Sequence, residues 1–238
     1  MCTVTLIPTQ ENNFILTSNR DEAINRKTLL PEFYQIGDTR MLFPKDAVAG
    51  GTWIGLSDKN TMICLLNGAF EIHERHASYR QSRGVVVKDL LEADDLQKAI
   101  SEYNYKGIEP FTIVAANWQS DLEFFELVWD GKEKYFRALP KETHIWSSST
   151  LYTKEMKNTR EDWFDAFEQN NMLTVDSLLD FHKNYGIGDK DVDLQIDRGF
   201  LKTRSITQIV KNEDELTMRY EDLQNKEVNV VAFEAITV

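Results

Sequence analysis

The grouping of strand and helix signals constrains this chain more than any other feature. Thr3 to Ile7 and Phe14-Ile15-Leu16-Thr17 read as strands about a Glu11-Asn12-Asn13 turn. Trp53 to Ser57 and Thr61 to Asn67 read as a second hairpin about Asp58-Lys59-Asn60. Two helices follow: Ser82 to Glu92, then a segment with Leu96, Ala99, Ile100 and Tyr103 at i, i+3, i+4 and i+7. Strand patterns return at Phe111–Ala116, Leu122–Trp129, Lys134–Leu139 and Ile145–Ser148. A helical stripe of Met156, Trp163, Phe164 and Phe167 precedes another of Leu178, Leu179, His182 and Tyr185, with Thr174 as N-cap. Thr203–Val210, Leu216–Tyr220 and Val228–Phe233 close the pattern as strands. Residues 22–50, punctuated by Pro31, Gly37, Pro44 and Gly50-Gly51, read as irregular.

This is not the βαβ alternation of a doubly wound parallel sheet. It suits the α+β class, as a four-layer αββα sandwich of two mainly antiparallel sheets with a helical pair on each outer face. With no linker, repeat or low-complexity tract, one domain over residues 1–238 is expected.

A chain of 238 residues that is 42% hydrophobic has material for a substantial core. The net charge of −12 argues against nucleic acid, whose phosphates need a basic footprint. No apolar run approaches the roughly 18 residues of a membrane span. The start has no basic segment leading into an apolar one, so no secretory signal is expected and the cytoplasm is the expected location. Oligomeric state is not legible. Cys2 and Cys64 make no disulfide framework, and Cys64, within Met62-Ile63-Cys64-Leu65-Leu66, reads as a small buried hydrophobe.

Cys2 is different. Removal of Met1 would leave its thiol beside a free α-amine, with unperturbed pKa values of about 8.5 and about 7.7–8.0. One residue would then supply a nucleophile and its base. The first hairpin returns Asn19-Arg20-Asp21-Glu22 to the side of residue 2, where arginine favours thiolate and the carboxylate orients the amine.

Met1-Cys2-Thr3, Asn19-Arg20-Asp21-Glu22, Phe43-Pro44-Lys45-Asp46 and Gly50-Gly51-Thr52-Trp53-Ile54-Gly55 resemble, as an ordered set, the NRDE or transport-and-Golgi-organisation 2 family. Ser82-Arg83-Gly84 and Thr203-Arg204-Ser205 fit as well. That family is similar to the N-terminal-nucleophile (Ntn) cysteine hydrolases, the group of bile-salt hydrolases and penicillin V acylases, which share the αββα sandwich. The resemblance implies Cys2 as nucleophile, Arg20 stabilising thiolate or substrate, Asp21 bonding the amine, and Asn67 as an oxyanion-hole amide. It implies hydrolysis of a non-peptide C–N amide bond through a Cys2 thioester. Ser148 stands where those hydrolases carry a second asparagine, and a hydroxyl donates one hydrogen bond and reaches less far than an amide.

Asn19, Trp53 and Arg204 are the candidates for substrate contact, although the sequence around Arg204 departs from the hydrolases' late arginine. Gly50-Gly51-Thr52-Trp53 has two readings: a tight turn into a strand whose Trp packs in the core, or backbone amides bordering a pocket. His73-Glu74-Arg75-His76 lacks further ligands, so no metal is expected, and no cofactor either. His144 and His182 read as structural, and Trp163, Phe164 and Phe167 as core. Glu213-Asp214-Glu215 and Glu92 to Asp95 read as solvated charge. The expected partner is a small-molecule amide or an apolar ligand. An alternative function is non-catalytic binding or carriage of an acyl lipid, haem or other apolar ligand, since the resemblance implies links to secretory organisation, lipid metabolism and haem handling. A protein-interaction module, resting on the acidic surface and the His73–His76 segment, is a third.

Overall fold

The computed structural model describes residues 3–10 and 12–234, so Cys2, the expected nucleophile, and Glu11 of the first turn lie outside the described residues. In chain order β1 (Thr3–Pro8), β2 (Phe14–Ala23), β3 (Thr28–Ile36), β4 (Thr39–Asp46), β5 (Ile54–Ser57) and β6 (Thr61–Asn67) lead to helices α1 (Arg83–Leu91) and α2 (Leu96–Glu102). Then come β7 (Phe111–Asn117), β8 (Glu123–Trp129), β9 (Lys134–Leu139) and β10 (His144–Ser147), followed by α3 (Lys154–Asn170) and α4 (Val175–Asn184). The last strands are β11 (Leu201–Asn212), β12 (Glu215–Asp222) and β13 (Glu227–Ala232). Contacts divide the chain into two compact units, one made of residues up to Arg26 and from Glu142 onward, the other of Lys27–Lys141.

The first unit holds a six-stranded antiparallel sheet in the order β10-β1-β2-β11-β12-β13. The first hairpin forms in the predicted register, with Thr3 opposite Asn19 and Leu6 opposite Leu16. Strand β10 pairs with the other edge of β1, setting Ser147 opposite Thr3. Helices α3 and α4 pack on this sheet. Their apolar stripes, Phe164 and Phe167 on α3 with Leu178 and Phe181 on α4, meet Ile7 and Ile15 in one buried cluster, as their helical spacing implies. Thr174 caps α4 as expected, in a capping box completed by Ser177.

The second unit is a seven-stranded antiparallel meander, β3 through β9 in sequence order, with α1 packed against β5 and β6. Here residues 22–50 correct the sequence reading, because β3 and β4 form a hairpin where irregular chain was expected. Two prolines suggested breakage, yet they sit where a strand tolerates them. Pro31 falls within the register shift between Leu29 and Glu32 on the edge strand, and Pro44 lies across from it on β4. Gly37, at φ 55°, makes the two-residue turn between Ile36 and Thr39.

The glycines of two separate sequence motifs meet in this unit. A Cβ on Gly51 would lie 2.6 Å from the backbone carbon of Gly84, and one on Gly84 would lie 2.7 Å from the Thr52 carbonyl oxygen. Only glycine lets the start of α1 approach the strand this closely, and Thr52 N–H donates to the Gly84 carbonyl across the contact. Trp53 is buried beside it and Cys64 is fully buried on β6, which supports the packing readings of both.

Candidate active site

Strand β2 carries Asn19, Arg20 and Asp21, and the two-residue period of a strand sends them to alternate faces. Asn19 and Asp21 face the helices. Arg20 faces the other way, 3.6 Å from Glu22, which shares its face. All three are buried, Arg20 at 3% and Asp21 at 2% exposure. Arg20 and Asp21 therefore flank the strand from its two sides.

The carboxylate of Asp21 accepts a hydrogen bond at each oxygen. Tyr152 Oη donates to Oδ2 at 2.5 Å and Thr203 Oγ1 to Oδ1 at 2.5 Å. The second contact depends on a bulge in β11. Thr203 pairs with Asp21 and Ser205 with Arg20, and the register shift between them turns Thr203 to the helical side. Thr203 Oγ1 in turn accepts the Ile196 amide. Arg204, inside the bulge, donates from Nη1 to the Ala23 carbonyl at 3.1 Å and also to the Ile24 carbonyl.

Tyr152 is held by α3. The fully buried Arg160 lays its guanidinium 3.6 Å from the centre of the Tyr152 ring, and Arg198 stands 5.3 Å from the same centre. Arg160 also donates to Thr3 Oγ1 at 2.7 Å and to the carbonyls of Val192 and Asp193 at 2.9 and 2.7 Å. Thr3 is the residue bonded to Cys2, so this arginine reaches the chain beside the expected nucleophile and the support of Asp21 together.

Asn19 is a hub within the protein. Its Nδ2 donates to the carbonyls of His182 and Leu194, at 3.1 and 2.6 Å. Its Oδ1 is then the acceptor, so His182 Nδ1 carries the proton in their 2.8 Å contact and Nε2 accepts from Thr5 Oγ1. Burial, reinforced by the Arg160 charge, pushes the imidazole pKa down from 6.5 to about 3, so the ring is neutral.

Ser148, buried at 1% exposure, follows β10 directly, and its Oγ lies 3.1 Å from Thr150 Oγ1. Its carbonyl accepts the Tyr152 amide, closing a turn that links Ser148 to the tyrosine behind Asp21. In that turn Ser149 buries an Oγ with no hydrogen-bond partner among the described residues. Asn67 belongs to the second unit, as the last residue of β6, half-buried and opposite Phe111. After it the chain turns through Gly68, whose carbonyl accepts from Thr112 Oγ1 and whose amide donates to the Pro110 carbonyl. Trp53 lies in the same unit, its carbonyl accepting the Leu65 amide.

Within the first unit the structure thus brings together Asn19, Arg20, Asp21, Ser148 and Arg204. It adds Tyr152, Arg160, Thr203 and His182, of which sequence reading had marked only the Thr203 motif and the structural histidine. Arg160 offered a faint signal, a cation in the apolar register of an otherwise well-patterned helix. Tyr152 offered none. His73, from the histidine pair, lies in irregular chain with Nε2 3.4 Å from Glu109, which also takes Arg75 and Arg83.

None of the curated proteins matches the chain by sequence. Solved structures do resemble it. Penicillin V acylase from Agrobacterium tumefaciens superposes with a TM-score of 0.58 at 10% identity, over 98% of this chain and 86% of its own. A conjugated bile acid hydrolase from Clostridium perfringens gives 0.55 at 9%, over 97% and 92%. The Caenorhabditis elegans ortholog of N-acylethanolamine-hydrolyzing acid amidase gives 0.59 at 11%, over 87% and 92%. At such identities the likeness shows the fold, and it is the Ntn-hydrolase-like α+β fold expected. Residues 1–227 match the sequence profile described as Transport and Golgi organisation 2, and the chain belongs to that family.

Proposed function

We propose that this protein is an N-terminal-nucleophile amidohydrolase that cleaves a non-peptide C–N amide bond through a thioester on Cys2, once Met1 is removed. The observation that carries the proposal is the Asp21 carboxylate, buried and fixed by two hydroxyls on the strand that pairs with Thr3. Cys2 is bonded to Thr3, and consecutive Cα atoms stand about 3.8 Å apart. A carboxylate and a guanidinium on opposite faces of the neighbouring strand suit a residue whose amine and thiol diverge from one Cα.

In this mechanism the α-amine takes the thiol proton and the sulfur attacks the amide carbonyl carbon. The tetrahedral oxyanion is stabilised by a hydroxyl of the Ser148 turn and by backbone amides, and Arg20 favours the thiolate. The ammonium returns its proton to the nitrogen as the C–N bond breaks, leaving a thioester. Water then attacks the thioester, with the amine accepting its proton, and the carboxylic acid leaves as the thiol is restored. The acylase, hydrolase and amidase names of the similar structures agree with this reaction class.

Intact mass is expected to show a chain beginning at Cys2. A panel of N-acyl amides is expected to be turned over by the wild type and not by Cys2→Ala; equal turnover by both would remove Cys2 from the mechanism. A second reading, carriage of an acyl lipid or other apolar ligand without turnover, draws on the Ser148 hydroxyl, which is a weaker oxyanion donor than an amide and already lies against Thr150. Native mass spectrometry separates the two. A stoichiometric ligand retained by Cys2→Ala favours carriage, and an acyl adduct on Cys2 favours catalysis.

A further inference from the structure

Behind Asp21 stands a layer that no sequence motif announces, and its parts act in one direction. We propose that Tyr152, clamped by Arg160, is a positioning residue that sets the charge and orientation of the Asp21 carboxylate and through it the reactivity of Cys2. The inference rests on the proposed roles of Asp21 and Cys2.

Three observations carry it. First, the hydroxyl contact is short and charge-assisted, 2.5 Å from Tyr152 Oη to Asp21 Oδ2, in a buried setting where such a bond is strong. Second, the guanidiniums of Arg160 and Arg198 both lie over the ring, at 3.6 and 5.3 Å from its centre. Cations over a phenol draw electron density from the ring and make its O–H a better donor. Third, Arg160 has little freedom: fully buried, it donates to Thr3 Oγ1 and to two backbone carbonyls. A shift in Tyr152 or Arg160 is thereby felt both at Asp21 and at Thr3. The Tyr152 amide also closes the turn that presents Ser148, so the same residue braces a second candidate group.

The hydroxyl withdraws part of the carboxylate's charge. Without it, Asp21 would project more negative charge toward Cys2, holding the proton more tightly on both amine and thiol. The charged or titratable groups on the elements around Asp21 include Arg20 and Glu22 on its own strand, Arg160 on α3, His182 on α4, Arg198 before β11, and Lys202 and Arg204 on β11. Tyr152→Phe changes none of them and keeps the ring under Arg160.

The test follows the rate of Cys2 alkylation by iodoacetamide against pH, on full-length mature protein, with buried Cys64 as the internal control. Tyr152→Phe is expected to raise the midpoint by about 0.5–1 pH unit, less than a hydrogen bond to a charged group supplies directly, because the effect reaches Cys2 through Asp21. Arg160→Lys keeps the charge but loses the planar clamp and fork. It is expected to shift the midpoint the same way by less, and it stands in if Tyr152→Phe does not fold. A role confined to packing would lower thermal stability and leave the midpoint in place. An unchanged midpoint in the folded variant overturns the inference while leaving the proposed hydrolase intact. A wild type whose Cys2 retains Met1 or fails to react overturns both.

Discussion

Asn19, the first residue of the Asn-Arg-Asp-Glu motif, shows how much a single carboxamide can organise. Its oxygen fixes the His182 tautomer, and its nitrogen ties two carbonyls from α4 and the segment after it to β2. Read as a substrate contact from the resemblance, its carboxamide is engaged by three protein groups. Asn19→Ala would orphan those groups in a buried site, at roughly 1–3 kcal/mol each before relaxation. A loss of about 3 kcal/mol or more in urea denaturation is expected, far above that of an exposed asparagine. His182 adds a pH dependence whose sign follows from its lowered pKa. As pH falls through about 6.5 the unfolded chain takes up a proton on this ring, whereas the folded one resists until about 3. Stability present above pH 6.5 is therefore lost progressively as pH falls through that window, at up to about 1.4 kcal/mol per pH unit from this group. Urea midpoints measured at pH 7.5 and about pH 5 are expected to drop less in His182→Gln than in wild type.

Among the elements, helix ends and strand turns were legible because their signals are local. Thr174 was read as a cap and is one, and Thr174→Ala is expected to cost about 1 kcal/mol by thermal denaturation. The β3–β4 hairpin escaped because prolines weigh against strands in a local reading, whereas a bulge on an edge strand accommodates them. The approach of α1 to the strand region around Thr52 depends on two glycines about thirty residues apart, each legible, their contact not. Gly84→Ala would drive a methyl against backbone atoms of Thr52 at 2.7 and 2.8 Å, which cannot swing aside as a side chain could. A cost of about 1–3 kcal/mol is expected in thermal denaturation, with loss of protection at the Thr52 amide in hydrogen exchange.

At the scale of the whole molecule, the two units differ in how far apart in sequence their partners lie. In Lys27–Lys141 every strand pairs with its neighbour in sequence, whereas the other sheet forms only when β2 meets β11 and β1 meets β10. Closing such long loops costs entropy before contacts offset it, so non-local sheets form slowly. Pulse-labelled hydrogen exchange during refolding is expected to protect β7 and β8 before β2; simultaneous protection would contradict this order. The same distinction separates what the chain's letters determined from what only its folding decided. Strand alternation, helical stripes, capping residues and the first hairpin are set by neighbours a few residues apart, so the α+β class and the nearness of Arg20 and Asp21 to the start of β1 could be read directly. The support of Asp21 could not. Tyr152, Arg160 and Thr203 come from a turn, a helix and a bulged strand far along the chain, and no periodicity links them. A buried carboxylate requires donors but does not specify which distant residues provide them, and packing alone made that choice.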